Sequence, residues 1–374
     1  MKTRSFHLRQ LLFLTVVLGG TLGSSLKPDE VVTFFPTFAA QSADGKSLNV
    51  NIHAWVYEPE DSSRSRNALL SLLSKRLGLP AGMSESKMFR DRAKPFLVDN
   101  ESGKNVSLRL GGDIFELGPS SANGHIVTTL TIPLAKLQQT IAAEGAISDH
   151  PVQFKVEILG QHAGESSFTI PFITPDGVSV ISDLDDTIKI SEVGNRRALL
   201  RNTFCQEFRP IPGMAKLYQT WAEQGASFHY VSASPWQLHT LIRDFLEAHG
   251  FPRGSMFLKT FRWKDSSFFE LFAKSDEVKK PFIESILKAF PKRKFILVGD
   301  SGELDPELYA ALARGHSGQV KKILILNSTG ESVSSARWNR AFDGLPSEIW
   351  SVFSDPAELQ GKTLAALAQQ QGPL

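Results

Sequence analysis

Two hydrophobic periodicities divide the chain. From residue 31 to about 175, apolar and polar positions alternate in short runs, at 31–35, 48–56, 106–110, 126–132 and 152–159, the two-residue repeat of half-buried strands. Asp44-Gly45, Gly111-Gly112 and Asn123-Gly124 separate them as turns. The pattern predicts a β-rich, sandwich-like part. One helical interruption is expected over 65–77, where Leu69, Leu72, Leu73 and Leu77 share a face. Packing on the sheet is the expected use of that face, and contact with a membrane surface is the alternative.

After Pro175-Asp176-Gly177 the grammar changes. Apolar runs at 178–182, 228–231, 295–298, 322–326 and 349–353 alternate with helical patterns at 214–224, 235–249, 277–290 and 306–314. Asp355-Pro356-Ala357-Glu358 then reads as the capped start of a last helix. Strands alternating with helices predict a parallel sheet with its ligand site at the carboxyl ends of the strands. The expected architecture is a β-rich domain over 25–175 followed by an α/β domain, a Rossmann-like parallel sheet, over 176–374.

Composition adds limits. A chain of 374 residues is long for one core and favours two domains. Its 41 Lys and Arg against 39 Asp and Glu leave a net charge of +2, with no large basic excess to argue for nucleic acid. Lys2, Arg4 and Arg9 precede the apolar run 11–18 and then Gly19, Gly20, Gly23 and Ser24. Residues 1–24 thus read as a secretory signal peptide, too short for a comfortable membrane span. An uncleaved anchor is the alternative. The expected location is outside the cytoplasm, periplasmic or secreted, peripheral to a membrane, with no later segment apolar enough to span one. Cys205 stands alone, which excludes an intramolecular disulfide and a Cys-based zinc site.

The candidate chemistry lies at the strand ends. Asp183, Asp185 and Asp186 crowd the end of the run 178–182, and three carboxylates so close repel one another unless a cation or an electrophilic centre joins them. The run 228–231 ends at Ser232, Lys279 falls on the helix before the next strand, and the run 295–298 leads to Asp300. Singly these residues have ordinary readings: a structural calcium loop, a strand-end hydroxyl, a surface charge, a helix cap. Their order and flanks carry the signal.

The set resembles the four-part signature of the haloacid dehalogenase superfamily of phosphotransferases. That resemblance implies Asp183 as the nucleophile that forms an aspartyl-phosphate, and Asp185 as general acid and then base. Magnesium is expected on Asp183, the Asp185 backbone carbonyl and Asp300. Ser232 and Lys279 are expected on the phosphoryl oxygens.

The surrounding words narrow the resemblance. Asp183-Leu184-Asp185-Asp186-Thr187-Ile188-Lys189, Tyr230-Val231-Ser232-Ala233-Ser234-Pro235-Trp236 and the run from Phe295 through Gly299-Asp300-Ser301-Gly302-Glu303-Leu304-Asp305 to Tyr309 look like the catalytic domain of the actin-patch-associated phosphatidate phosphatase family. Ala54-Trp55-Val56-Tyr57-Glu58-Pro59 and Phe89-Arg90-Asp91-Arg92 look like its bacterial members. The resemblance implies magnesium-dependent conversion of phosphatidate to diacylglycerol, with a lipid phosphate at a membrane surface as the partner. It further implies substrate contacts at Thr187, Ser234 and Asp305, and a small cap or flap from 193–212. Arg196, Arg197, Arg201 and Arg209 of that flap would face anionic head groups or solvent. The chain departs from the family pattern at Ala233 and Val278, both beside catalytic positions. The aromatic, basic stretch 256–264 with Phe268, Phe269 and Phe272 is expected to pack in the core, with an interfacial role as the alternative. A phosphatase of soluble phosphomonoesters and a non-catalytic binding module remain open readings.

Overall fold

The computed structural model describes residues 23–369 except 60–69, 72–73, 76–81, 83–84, 111, 137–152, 161–165, 262–274 and 333. Among these residues no helix is long and apolar enough to cross a membrane. Most of the expected leader lies outside the described residues, and Ser24 at its end bridges Lys104.

The first nine strands are β1 (Val31–Phe34), β2 (Ala39–Gln41), β3 (Ser47–Glu58), β4 (Asp99–Asn100), β5 (Val106–Leu110), β6 (Asp113–Leu117), β7 (His125–Pro133), β8 (Gln153–Leu159) and β9 (Ser167–Ile173). They join in one hydrogen-bonded network, β1-β3-β2-β9-β8-β5-β6, with β4 and β7 also on β3. In β3 the alternation Leu48, Val50, Ile52 and Ala54 is buried against Val106, Leu108 and Ile170, the one-sided burial that a period of two produces. The sequence pattern missed β9 because Pro171 has no donor and weakens a strand reading. It still pairs Gln153 at the start of β8.

A short helix, α1 (Lys87–Ala93), capped by the Ser86 hydroxyl, follows the segment where a leucine-faced helix is expected. Of that segment Leu70, Ser71, Ser74 and Lys75 are described as helical. Leu70 is buried in the same core as Phe89 and Phe96, so packing is the use seen there; Leu69, Leu72, Leu73 and Leu77 lie outside the described residues.

Six further strands, β10 (Val178–Ser182), β11 (Ser227–Pro235), β12 (Gly254–Lys259), β13 (Lys294–Asp300), β14 (Val320–Leu326) and β15 (Trp350–Phe353), form a parallel sheet in the order β12-β11-β10-β13-β14-β15. Both faces are covered. Val180 and Tyr230 belong to the core on one side, and Ile181, Val231 and Leu297 to the core on the other, which is why these strands read as continuous apolar runs. The helices between them are α2 (Arg196–Phe204), α3 (Met214–Glu223), α4 (His239–Ala248), α5 (Ser275–Ala289), α6 (Asp305–Gly315), α7 (Ala336–Ala341) and α8 (Leu364–Ala368). The capping box at Asp355 is present, but it starts a single 3₁₀ turn, and the last α-helix is α8. The stretch 256–264 begins as β12, with Met256 and Leu258 buried. Phe268, Phe269 and Phe272 lie outside the described residues.

The chain leaves β10 for β11 and β12 and then crosses back to β13 on the far side of β10. Ser182 is therefore flanked by Tyr230 and Val298. A crevice at the carboxyl ends opens where the winding reverses.

Candidate active site

The loop after β10 carries Asp183 and Asp185 into two different environments. Asp183 is fully buried. Its Oδ1 lies 2.8 Å from Lys279 Nζ and its Oδ2 accepts from the Thr187 hydroxyl at 3.0 Å. Lys279, on the first turns of α5, also reaches Glu303 and Asp305 at 2.7 Å each. Asp300, at the end of β13, accepts from Gly302 N–H and from the Ser328 hydroxyl on Oδ1, whereas its buried Oδ2 has no hydrogen-bond partner among the described residues. Gly299 is required here, because a Cβ would come within 2.3 Å of the Asp305 carboxylate.

Asp183, Asp300, Glu303 and Asp305 thus offer four carboxylate oxygens within 4.8 Å of one another. Among the described residues, Lys279 is the one cation in direct contact with this group, through Asp183, Glu303 and Asp305. Burial, opposed by Lys279 and reinforced by the neighbouring carboxylates, pushes Asp183 well up. Burial and Asp305 push Asp300 up to about 8. Burial also opposes the Lys279 charge, but Asp183, Asp305 and Glu303 hold it well above its ordinary value. The carboxylates outnumber the cation, so as a group they retain a proton or take a second cation. A hard divalent ion with oxygen ligands fits the orphaned Asp300 Oδ2 and this donor set.

Asp185 lies on the other side. Its Oδ1 accepts from Lys189 at 2.7 Å and Ser191 at 2.6 Å, and its Oδ2 from Ser232 at 3.0 Å and Ser234 at 2.9 Å. Burial raises its pKa, but the Lys189 charge and these donors outweigh burial and hold it well below the ordinary carboxylate range. Asp186, the third carboxylate, is structural. At φ +54° it accepts from the N–H groups of Ser191, Glu192 and Val193 and so folds the loop that delivers Ser191.

The structure brings Asp183, Asp185, Ser232, Lys279 and Asp300 together. Thr187, Ser234 and Asp305, expected on substrate, contact Asp183, Asp185 and Lys279; of the three only Ser234 lines the adjacent cavity. Lys189, Ser191 and Glu303 were not singled out from the sequence. Lys189 and Glu303 stand inside the motif words, but nothing in their spacing says that one pairs with Asp185 and the other with Lys279. His229 is held by Ser179 and Ser255 inside the sheet. The expected flap contains α2, with Arg196, Arg197 and Arg209 exposed and Arg201 3.7 Å from Glu192.

Residues 178–327 match the family model for phosphatidate phosphatase APP1, catalytic domain. The chain is similar to phosphatidate phosphatase APP1 of Saccharomyces cerevisiae, 41% identical over 278 residues, covering 71% of this chain and 45% of that protein. It is also similar to an uncharacterized protein of Schizosaccharomyces pombe, 29% identical over 160 residues, covering 42% of this chain and 26% of that protein. The matches span less than half the length of these relatives. Residues 178–374 are only about half of the chain, so the longer match takes in residues before 178 as well.

Proposed function

We propose that the protein is a magnesium-dependent phosphatase that hydrolyses phosphatidate, or a similar lipid phosphate, to diacylglycerol and phosphate through an aspartyl-phosphate on Asp183. The similarity to phosphatidate phosphatase APP1 supports the substrate class. The observation that carries the chemistry is the pairing of Asp183 with Lys279 inside a four-carboxylate cluster at the carboxyl end of a parallel sheet. In this reading the sheet is Rossmann-like, of the haloacid dehalogenase type, with α2 as its small cap. The nine-stranded network is a sandwich-like domain over 25–175, and the mature protein is exported and works at a membrane surface.

Asp183, Asp300 and the Asp185 backbone carbonyl would hold the magnesium ion, with Glu303 and Asp305 beside them. Bound there, it would neutralise carboxylate and phosphoryl charge. Lys279 and the Ser232 hydroxyl would hold phosphoryl oxygens while Asp183 attacks phosphorus in line with the leaving alcohol. Asp185 is ionised in the free protein and is therefore ready as the base that activates water in the second half. To serve first as acid it must gain a proton when the phosphate dianion arrives, since a second negative charge beside it raises its pKa.

Phosphate release from phosphatidate in detergent micelles, with and without magnesium, beside glycerol 3-phosphate, tests the proposal. Magnesium-dependent release from the lipid is expected. Release from glycerol 3-phosphate alone would keep the chemistry and overturn the lipid. No release from either would leave a binding module.

A further inference from the structure

The cavity over Asp185 is walled by two distant parts of the chain. Its volume is about 290 Å³; Asp185, Ser234, Arg196, Thr203 and Glu303 give it polar groups, and Phe96, Leu199, Phe204 and Leu238 an apolar wall. Phe96 precedes the segment that carries the catalytic motifs, yet it is fixed firmly against it. Its ring centroid lies 5.5 Å from Phe204 and 5.8 Å from Phe261. Just ahead of it, Arg92 of α1 donates to the backbone carbonyls of Thr203, at 2.8 Å, and Gln206, and its guanidinium lies 4.6 Å from the Phe208 ring. The strand-rich part of the chain thus completes the wall that begins with α2.

We infer that Phe96 is a specificity-determining residue that gives the phosphoryl site an apolar subsite for the first carbons of an alkyl or acyl chain. This rests on reading the site as a phosphatase. A phosphate monoester with an apolar body is satisfied at both ends of the cavity. Those hydroxyls of a polyol ester that face Phe96, Leu199, Phe204 and Leu238 would be without partners. A cavity of this size is at the small end of ligand sites, which run from roughly 300 to 1,000 Å³. It holds the head and a few methylenes, and longer chains extend outside. Selectivity therefore rises over the first few carbons and then levels off.

The test uses the full chain with magnesium and a series of ethyl, butyl, hexyl and octyl phosphates beside glycerol 3-phosphate, below their critical micelle concentrations. The wild type is expected to gain up to about fourfold in kcat/KM per methylene over the early members, mainly through KM. Phe96→Ala flattens that rise, and Phe96→Leu keeps most of it. Melting curves confirm that both variants fold. A wild type indifferent to chain length, an unaltered rise in Phe96→Ala, or an equal loss on every ester would overturn the inference, the last by making Phe96 a packing residue only. If neither these esters nor phosphatidate in micelles is hydrolysed, the phosphatase reading falls. Calorimetric binding of hexyl phosphate against glycerol 3-phosphate then decides the subsite: a preference lost in Phe96→Ala keeps it, and equal binding sinks it.

Discussion

Asp183 and Asp185 are two residues apart on one loop, and both are buried, yet their surroundings drive them to opposite electrostatic states. Asp183 shares one ammonium with Glu303 and Asp305 and lies beside Asp300. Asp185 has an ammonium of its own and three hydroxyls. The first neighbourhood has too much negative charge and calls for a cation. The second is balanced and holds its carboxylate ionised. In the proposed mechanism, one loop would thereby provide a nucleophile with a metal beside it and a base that needs none.

The largest expected effect is on activity. Asp183→Asn should lower phosphate release by on the order of 10³-fold or more, because it removes the attacking group. Asp185→Asn should cost roughly 10² to 10⁴-fold. Stability should separate the two variants in sign. In EDTA at pH 8, Asp183→Asn removes one charge from a repulsive cluster and leaves Lys279 its other carboxylates, so its melting temperature should match or exceed the wild type. Asp185→Asn leaves the buried Lys189 without a counterion and should cost about 3–5 kcal/mol. Loss of stability in both would show that the two pockets are equivalent after all.

Magnesium sharpens the contrast. Added at about 100 times its dissociation constant, it should stabilise the wild type by about 2.7 kcal/mol. Asp300→Asn should abolish that shift, and Ser191→Ala, which touches only the balanced side, should not. The pH dependence follows from the same cluster. Asp183, Asp300 and Asp305 titrate higher in the folded chain than in the unfolded one, so between about pH 4 and about 8 these three sites hold more protons in the folded state. Burial lowers the pKa values of His53, His125, His229 and His239, so below about pH 6.5 they act in the opposite direction; without metal, the carboxylates should make stability fall as pH rises from about 7 to about 8, by at most about 1.4 kcal/mol per unit for each proton. Saturating magnesium should flatten the slope. A chemical-denaturation series over pH 5–9, with and without the ion, measures both.

What the sequence could show follows from how local each feature is. Asp183, Asp185, Ser232 and Asp300 are legible because each ends or follows an unbroken apolar run, the mark of a buried parallel strand. Lys279 is legible through its place before β13. The electrostatic contrast between the two aspartates was hidden. It depends on Lys189 folding back four residues and on Glu303 and Asp305 arriving from the start of α6, contacts that no periodicity encodes. Phe96 was hidden for the same reason, since α1 docks on α2 through Arg92 and carbonyl groups more than a hundred residues away. β9 was missed because Pro171 interrupts the strand pattern.

The smallest effect tests the balanced side alone. Ser234 donates one hydrogen bond to Asp185 Oδ2, which keeps Ser232 as a second donor while Lys189 and Ser191 remain on Oδ1. Ser234 also borders the cavity, so in Ser234→Ala a water can take the place of the lost hydroxyl. The net loss should be about 1 kcal/mol, equivalent to a rise of less than about one unit in the Asp185 pKa. In the free protein that carboxylate begins far below neutrality, so it stays ionised at pH 7, and kcat/KM there should change by less than about tenfold. The change should appear at the acid limb of the kcat/KM profile, displaced upward in the variant. A loss at pH 7 as large as that of Asp185→Asn would mean that Ser234 bears directly on the reacting phosphoryl group, and Asp185 would then owe its ionised state to Lys189 without being the group the reaction depends on.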